Sequence, residues 1–330
     1  MPTQTAPVAL YTDPDAYERE RRSIFATTWQ FLGLASELTR PGDYLAETLA
    51  GYPIVAVRGD DGALHGFHNV CRHRAGPLVD DPKGRCDKEF VCRYHAWRYS
   101  FDGRLLEATD FGSAPGFNAG DYGLFPVRVE AWCGLVFVNM DMGAKPAAET
   151  LAPLQSRLAS CAQLSARTHH AHVIECNWKV YVENYLDGHH DDAHRHLHAS
   201  MTAPADTASD DMRMEGNVAL QLVRNDRGVD IGFWAWVWPN LGLSFARGVL
   251  LIEHMRPIGA QRMRLHHLHL HEPEDPRVDA AIDAQEQIAD EDAEICQRVQ
   301  ENLKAGIFGR GVLSPTHEAA IAWFQDRTGG

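Results

Sequence analysis

No stretch of the 330-residue chain approaches the apolar length of a membrane-spanning helix. It has no signal-like opening segment, no internal repeat and no low-complexity run. A membrane partner, secretion and a solenoid are therefore not expected. Positive charge is short as well: 31 lysines and arginines face 45 acidic residues, a formal net charge of −14, which disfavours nucleic acid or anionic lipid as a general partner. Cysteine is sparse and odd in number, seven in all, and Cys86, Cys133, Cys161, Cys176 and Cys296 stand apart without paired spacing. They read as reduced, packed thiols of a reducing compartment, so the expectation is a cytoplasmic enzyme and not a disulfide scaffold. A chain of this length can bury a substantial core and form two domains.

The remaining two cysteines sit in Cys71-Arg72-His73 and Cys92-Arg93-Tyr94-His95, offering two thiolates and two imidazoles to metal. Zinc would accept the same four donors in a closed tetrahedral site. Against zinc, the gap from His73 to Cys92 is longer than a finger's hairpin-to-helix spacing, and each pair adjoins strand-like sequence, Phe90-Val91 and Trp97-Arg98-Tyr99-Ser100. Two loops of this kind can pinch one [2Fe-2S] cluster, and replacing two thiolates by neutral imidazoles raises its potential.

A second polar constellation runs from Asn177 to His194 and is rich in histidine. Two histidines and one carboxylate on one face of iron(II) leave positions open for dioxygen. The alternative is a solvated histidine loop with no metal. A carboxylate could come from the region between Val278 and Leu303, where Ile288, Ile295, Val299 and Leu303 recur at helical spacing. At 100° per residue Asp292 falls near the middle of that stripe, Glu291 at its margin, and Asp290 and Glu294 toward water. A core-facing acid needs a partner, either a metal or an arginine such as Arg298.

The segments HNVCRHRAGPLV and CRYHAWRYSFDGRL resemble the Rieske domain of the ring-hydroxylating, or Rieske non-heme iron, oxygenases. That family reads C-P-Y-H-G-W at the second loop, so Arg93 and Ala96 depart from its proline and glycine. Asn177-Trp178-Lys179, Glu183-Asn184 and Asp187-x-x-His190 are similar to the family's second motif, D-x-x-H-x4-H, but Arg195 stands where the last histidine is expected. The resemblance implies Cys71, His73, Cys92 and His95 as cluster ligands, and His190, His194 and Asp292 as ligands of a mononuclear Fe(II). His189 and His196 are alternatives to His194. Asn184 and Asp187 are implied as catalytic, Asp187 joining His190 to His95 of a neighbouring subunit.

The resemblance further implies a terminal oxygenase that takes electrons from a separate reductase or ferredoxin and uses O2 on a small organic substrate, as a monooxygenase or dioxygenase in a homotrimer. An aromatic substrate is expected, with a quaternary or methylated amine as the alternative class. A Rieske-type carrier or regulatory protein without mononuclear iron is the alternative function. The fold class implied is α+β: a small all-β Rieske domain, and a larger catalytic domain with an antiparallel sheet covered by helices. The expected divisions are an N-terminal helical segment at 1–38 packing on the catalytic domain, the Rieske domain at 39–145 and the catalytic domain at 146–330.

Local signals agree with this plan. Asp13-Pro14-Asp15 begins a predicted helix to Phe25. Strands are predicted around 51–57, 134–138, 233–239, 249–252 and 263–270. In the last of these His267, His269 and His271 share one face, expected to be solvent-facing, and the tryptophans of 233–239 are expected to be core. Residues 201–211 read as a loop beside the iron site. Arg72, Arg74, Lys83, Arg85, Lys88, Arg93 and Arg98 form either a docking face for an acidic electron donor or a set of internal bonds.

Overall fold

The computed structural model describes residues 3–161, 163–164, 166–187, 207–209, 212–272 and 278–329. Contacts divide the chain into two units, 23–149 on one hand and 1–22 with 150–330 on the other. The first division falls at 22/23 and not at the expected 38/39. The reason is strand β1 (Gln30–Leu34), which pairs with β10 (Leu135–Asn139) inside the smaller unit.

The smaller unit also contains β2 (Asp43–Leu49), β3 (Tyr52–Arg58), β4 (Leu64–His68), β5 (Lys83–Arg85), β6 (Phe90–Val91), β7 (Arg98–Tyr99), β8 (Leu105–Glu107) and β9 (Pro126–Trp132). Seven of these ten form an antiparallel sheet in the order β1-β10-β9-β4-β3-β2-β5, and β6-β7-β8 form a second. In β3 four successive residues are buried, and the two-residue strand period sends them to different cores. Val55 and Val57 pack with Phe67, Trp97 and Tyr99, whereas Ile54 and Ala56 pack with Leu45, Val136 and Val138. The hairpins β2–β3 and β9–β10 turn through Ala50-Gly51 and Cys133-Gly134 with positive φ at both positions. That twist matches the strands, so two residues close each hairpin.

Among the described residues, the larger unit is an eight-stranded antiparallel sheet with helices. Its strands are β11 (Ala166–Ile174), β12 (Thr207–Ser209), β13 (Arg213–Glu215), β14 (Val218–Asn225), β15 (Asp230–Val237), β16 (Leu241–Ala246), β17 (Val249–Gly259) and β18 (Arg262–His271). The order runs β11-β18-β17-β16-β15-β14-β12, with β13 also on β14, so β18 is an interior strand. Its principal helices are α1 (Ala9–Thr12), α2 (Pro14–Glu20), α3 (Trp178–Leu186), α4 (Val278–Lys304) and α5 (Ala319–Thr328). Among the described residues no helix is long and apolar enough to cross a membrane.

Helix α2 starts where the sequence signals it, with the Asp13 side chain accepting from the Asp15 N–H at 2.9 Å and Pro14 in the first turn. Residues Arg21–Phe25 then continue as a π-helical turn. In α3 the Asn177 side chain caps the Lys179 N–H at 3.0 Å. Lys179 is buried and ion-paired to Glu20 at 2.6 Å, and the Trp178 indole N–H donates to the other Glu20 oxygen at 2.8 Å. The pair and its extra donor satisfy charges that burial would otherwise penalise.

One expected burial pattern holds and another changes. The tryptophan strand is core, with Trp236 and Trp238 packed on Phe324. In α4 the buried line is Val278, Ile282, Ala289, Cys296, Gln300 and Leu303, while Ile295 and Val299 are each 39% exposed. In the middle of the helix the stripe is set by Ala289, Cys296 and Gln300, and Ile295 and Val299 lie one residue off it. Residues 207–209, expected as loop, pair with β14. The rest of the segment 201–211 lies outside the described residues.

Candidate metal centres

In the smaller unit the two motif loops are built alike. The Cys71 N–H donates to the Gly76 carbonyl and the Ala75 N–H to the Cys71 carbonyl. Likewise the Cys92 N–H donates to Trp97 and the Ala96 N–H to Cys92. Ala75 and Ala96 both sit in the left-handed region, at φ 56° and 55°. Each loop thus curls its cysteine and histidine toward the same point, and the His73 and His95 rings lie 4.5 Å apart. Position 96 is where the resemblance expects glycine, and its backbone angle explains that preference.

The donors fit a mixed thiolate and imidazole cluster. Cys71 and Cys92 are buried, and His73 Nδ1 is buried without a hydrogen-bond partner. His73 stacks on Trp97 at 4.9 Å and 8°. The Tyr99 hydroxyl receives the Arg72 N–H at 3.1 Å and hydrogen-bonds Cys71 Sγ at 3.2 Å. A side chain at Gly76 would come within 3.0 Å of Cys92 Sγ. Burial pushes the Cys92 thiol up, and burial with His73 and Arg74 keeps His95 down. The imidazole is therefore neutral and the thiols give up protons as metal enters.

The basic side chains here are largely engaged within the unit. Arg72 bonds the Gly123 and Asp121 carbonyls, Arg93 pairs with Asp80, Arg98 with Glu89, Lys83 with Glu37 and Arg85 with the Pro41 carbonyl.

In the larger unit His190 and His194, with the alternatives His189 and His196, lie outside the described residues. Asp187, extended at φ −86° and ψ 92°, follows the last turn of α3. Asn184 is half-buried, and its side-chain nitrogen is buried without a hydrogen-bond partner among the described residues. Asp292 is half-buried on the inward line of α4, three residues after Ala289 and four before Cys296, and its charge acts on the buried Tyr181 and Cys296. Beside Asn184, Glu183 accepts the Tyr11 hydroxyl at 2.6 Å, and burial pushes its carboxyl up to about 7.

Sequence reasoning missed a polar cluster on the sheet. His267 and His269 are 1% and 0% exposed, and His271 is half-buried, so the expected solvent-facing strand is covered. Strand β18 has neighbours on both sides and Glu286 of α4 above it, bonded to His267 at 2.7 Å. The signal available was the pairing of histidines with acids, Glu253 and Glu286, which polar alternation alone does not reveal.

Residues 28–118 match the family model of the Rieske [2Fe-2S] domain, and 158–329 match that of the ring hydroxylating alpha subunit catalytic domain. The chain belongs to the Rieske ring-hydroxylating oxygenases. It is 31% identical over 280 residues to the carnitine monooxygenase oxygenase subunit of Escherichia coli strain K12, covering 78% of this chain and 72% of that protein. It is 27% identical over 329 residues to the chloroplastic choline monooxygenase of Atriplex hortensis, covering 93% and 73%. The solved structure of the quaternary ammonium Rieske monooxygenase CntA superposes with a TM-score of 0.84 at 27% identity, covering 98% of this chain and 94% of that one. The Rieske oxygenase is thus an oxidoreductase with a [2Fe-2S] cluster and a mononuclear iron, served by a reductase partner. The aromatic substrate expected from the sequence is not supported, because these relatives are named for quaternary amines.

Proposed function

We propose that the chain is a monooxygenase component acting on a small quaternary or methylated ammonium compound. The observation that carries this reading is that relatives matching most of the chain are named for carnitine and choline. A local feature supports it: Trp234 of β15 is partly exposed beside Tyr185 of α3, ring centroids 6.4 Å apart, and such faces attract an alkylammonium cation. The buried carboxylate of Glu253 acts on the same Tyr185 and adds negative potential.

In this reading Cys71 and Cys92 bind one cluster iron, His73 and His95 the other, and His190, His194 and Asp292 bind the mononuclear iron. When bound, the cluster supplies single electrons and the mononuclear iron activates dioxygen. Tyr99 and the loop N–H groups hold the thiolates in place. Asn184 presents an amide with hydrogen-bonding capacity to spare, and Asp187 would orient the His190 imidazole. A head-to-tail homotrimer would let Asp187 also meet His95 of a neighbouring copy, a reading in keeping with the inter-subunit electron transfer named for CntA.

The test is oxidation of carnitine, choline and glycine betaine against naphthalene and benzoate, using a surrogate reductase. Expected is substrate-dependent O2 uptake with release of an amine and an aldehyde from an ammonium substrate. Oxidation confined to the aromatic compounds overturns the substrate class.

A further inference from the structure

We propose that His170, His269 and Glu286 form a second divalent metal site in the larger unit, of the kind that takes Zn2+ and separate from the mononuclear iron. Register brings the donors together. His170 of β11 lies directly opposite His267 of β18, and His269 is the next residue on that face. Glu253 of β17 is opposite His267 from the other side. Glu286, one turn after the buried Ile282, reaches down from α4 onto these imidazoles.

The imidazoles divide into two roles. His267 is fully used: Nδ1 bonds Glu286 at 2.7 Å and Nε2 bonds Glu253 at 3.1 Å. With a carboxylate oxygen at each ring nitrogen, it is a double donor. His172 Nε2 bonds the second Glu286 oxygen at 2.8 Å. Both oxygens are thereby oriented, as the carboxylate of a metal site is by its supporting shell.

His269 is different. It is wholly buried and, among the described residues, neither ring nitrogen has a hydrogen-bond partner. A buried unsatisfied nitrogen is costly, and a cation relieves it. The spacing fits the cation better than a hydrogen bond. His269 Nε2 is 3.7 Å from Glu286 Oε1, and His170 Nδ1 is 3.6 Å from Oε2. Zinc bonds of about 2.0–2.1 Å place neighbouring tetrahedral donors roughly 3.4 Å apart. The ligand atoms of all three residues lie within 4.8 Å of one another. Two imidazoles and one carboxylate suit a borderline cation and leave a fourth position for water.

The experiment is metal stoichiometry on the iron-loaded holoenzyme incubated with Zn2+ and passed through a desalting column. Expected is one zinc per chain with both cluster irons and the mononuclear iron retained. Glu286→Gln, which keeps size, and His170→Ala, at a partly exposed position, should each lose stoichiometric zinc while keeping cluster absorbance and all iron. Uptake of zinc only in exchange for an iron overturns the separate site, as does full zinc retention by both variants. Loss of the mononuclear iron in Glu286→Gln also overturns it. Asp292→Ala distinguishes that failure from one of the iron assignment: it should lose iron and keep the zinc.

Discussion

The two units build their candidate centres in opposite ways. In the smaller unit every proposed ligand falls between Cys71 and His95, on two loops with the same internal hydrogen bonds and the same left-handed alanine. In the larger unit the proposed donors come from the sequence after α3, from α4 and from strands β11 and β18. A local centre needs only its own loops to form. A dispersed one exists only after sheet and helices have packed, so damage to the core of that unit is damage to its chemistry.

The strongest break in this comparison is Cys92→Ser. Removing one buried thiolate from a four-donor loop pair should abolish the cluster, read as loss of the brown colour and of the reduced-state EPR signal. Unfolding of the larger unit, followed by its tryptophans, should shift little. A retained cluster spectrum would disprove the ligand set.

Asp292→Ala is the counterpart in the dispersed centre. It should remove the mononuclear iron and lower turnover by about 100-fold or more, with the cluster spectrum intact, while Glu291→Ala at the margin of the same face keeps iron. Iron analysis decides between them.

The support beneath that centre is tested by Glu20→Ala. It strands the Lys179 ammonium, which is 1% exposed, and frees the Trp178 indole N–H. Leaving one partner of a buried pair costs about 3–5 kcal/mol. Denaturant midpoints should fall in the larger unit and stay put in the smaller; equal falls in both would show that the units do not unfold separately.

This difference also governs what could be read from the sequence. Cys71, His73, Cys92 and His95 are legible because spacing within a loop is spacing in space. Asp292 is legible only through helical period, and the large aliphatics Ile295 and Val299 point to a phase that the buried Ala289, Cys296 and Gln300 correct. His267 and His269 were misread because alternation of histidine with leucine looks the same whether the polar face meets water or meets Glu253 and Glu286. Position in the sheet decides that, and position is not a local property. The division at 22/23 has the same origin, since β1 joins its sheet through β10, about a hundred residues away.

A smaller effect concerns Glu183. Its folded pKa of about 7 lies above the ordinary 4.5, so the folded state holds a proton that the unfolded state has released. The contribution of this group is fully present below about pH 4.5 and is lost as pH rises to about 7. Glu183→Gln keeps an acceptor for Tyr11 and removes that loss. The variant should be more stable than wild type at pH 8 by on the order of 1–3 kcal/mol, with little difference at pH 4.5. Parallel pH profiles would contradict the buried, proton-holding carboxyl.

The smallest expected effect returns to the twin loops and separates strain from ligation. Ala96 holds φ 55° with its N–H on the Cys92 carbonyl and its carbonyl receiving the Thr109 hydroxyl at 2.7 Å, so the backbone cannot relax without breaking both. An L-residue there costs about 1–2 kcal/mol, partly offset because glycine loses more entropy on folding. Ala96→Gly should therefore stabilise the smaller unit by about 0.5–1 kcal/mol. Ala75→Gly, at φ 56° in the other loop, should do the same if the loops are mechanical equals. The measurement is the denaturant midpoint for cluster release, followed by visible absorbance, in the two single variants and the double. Additive gains would show that each loop carries its own strain; a gain at one position only would show that the loops, alike in hydrogen bonding, share their load unequally.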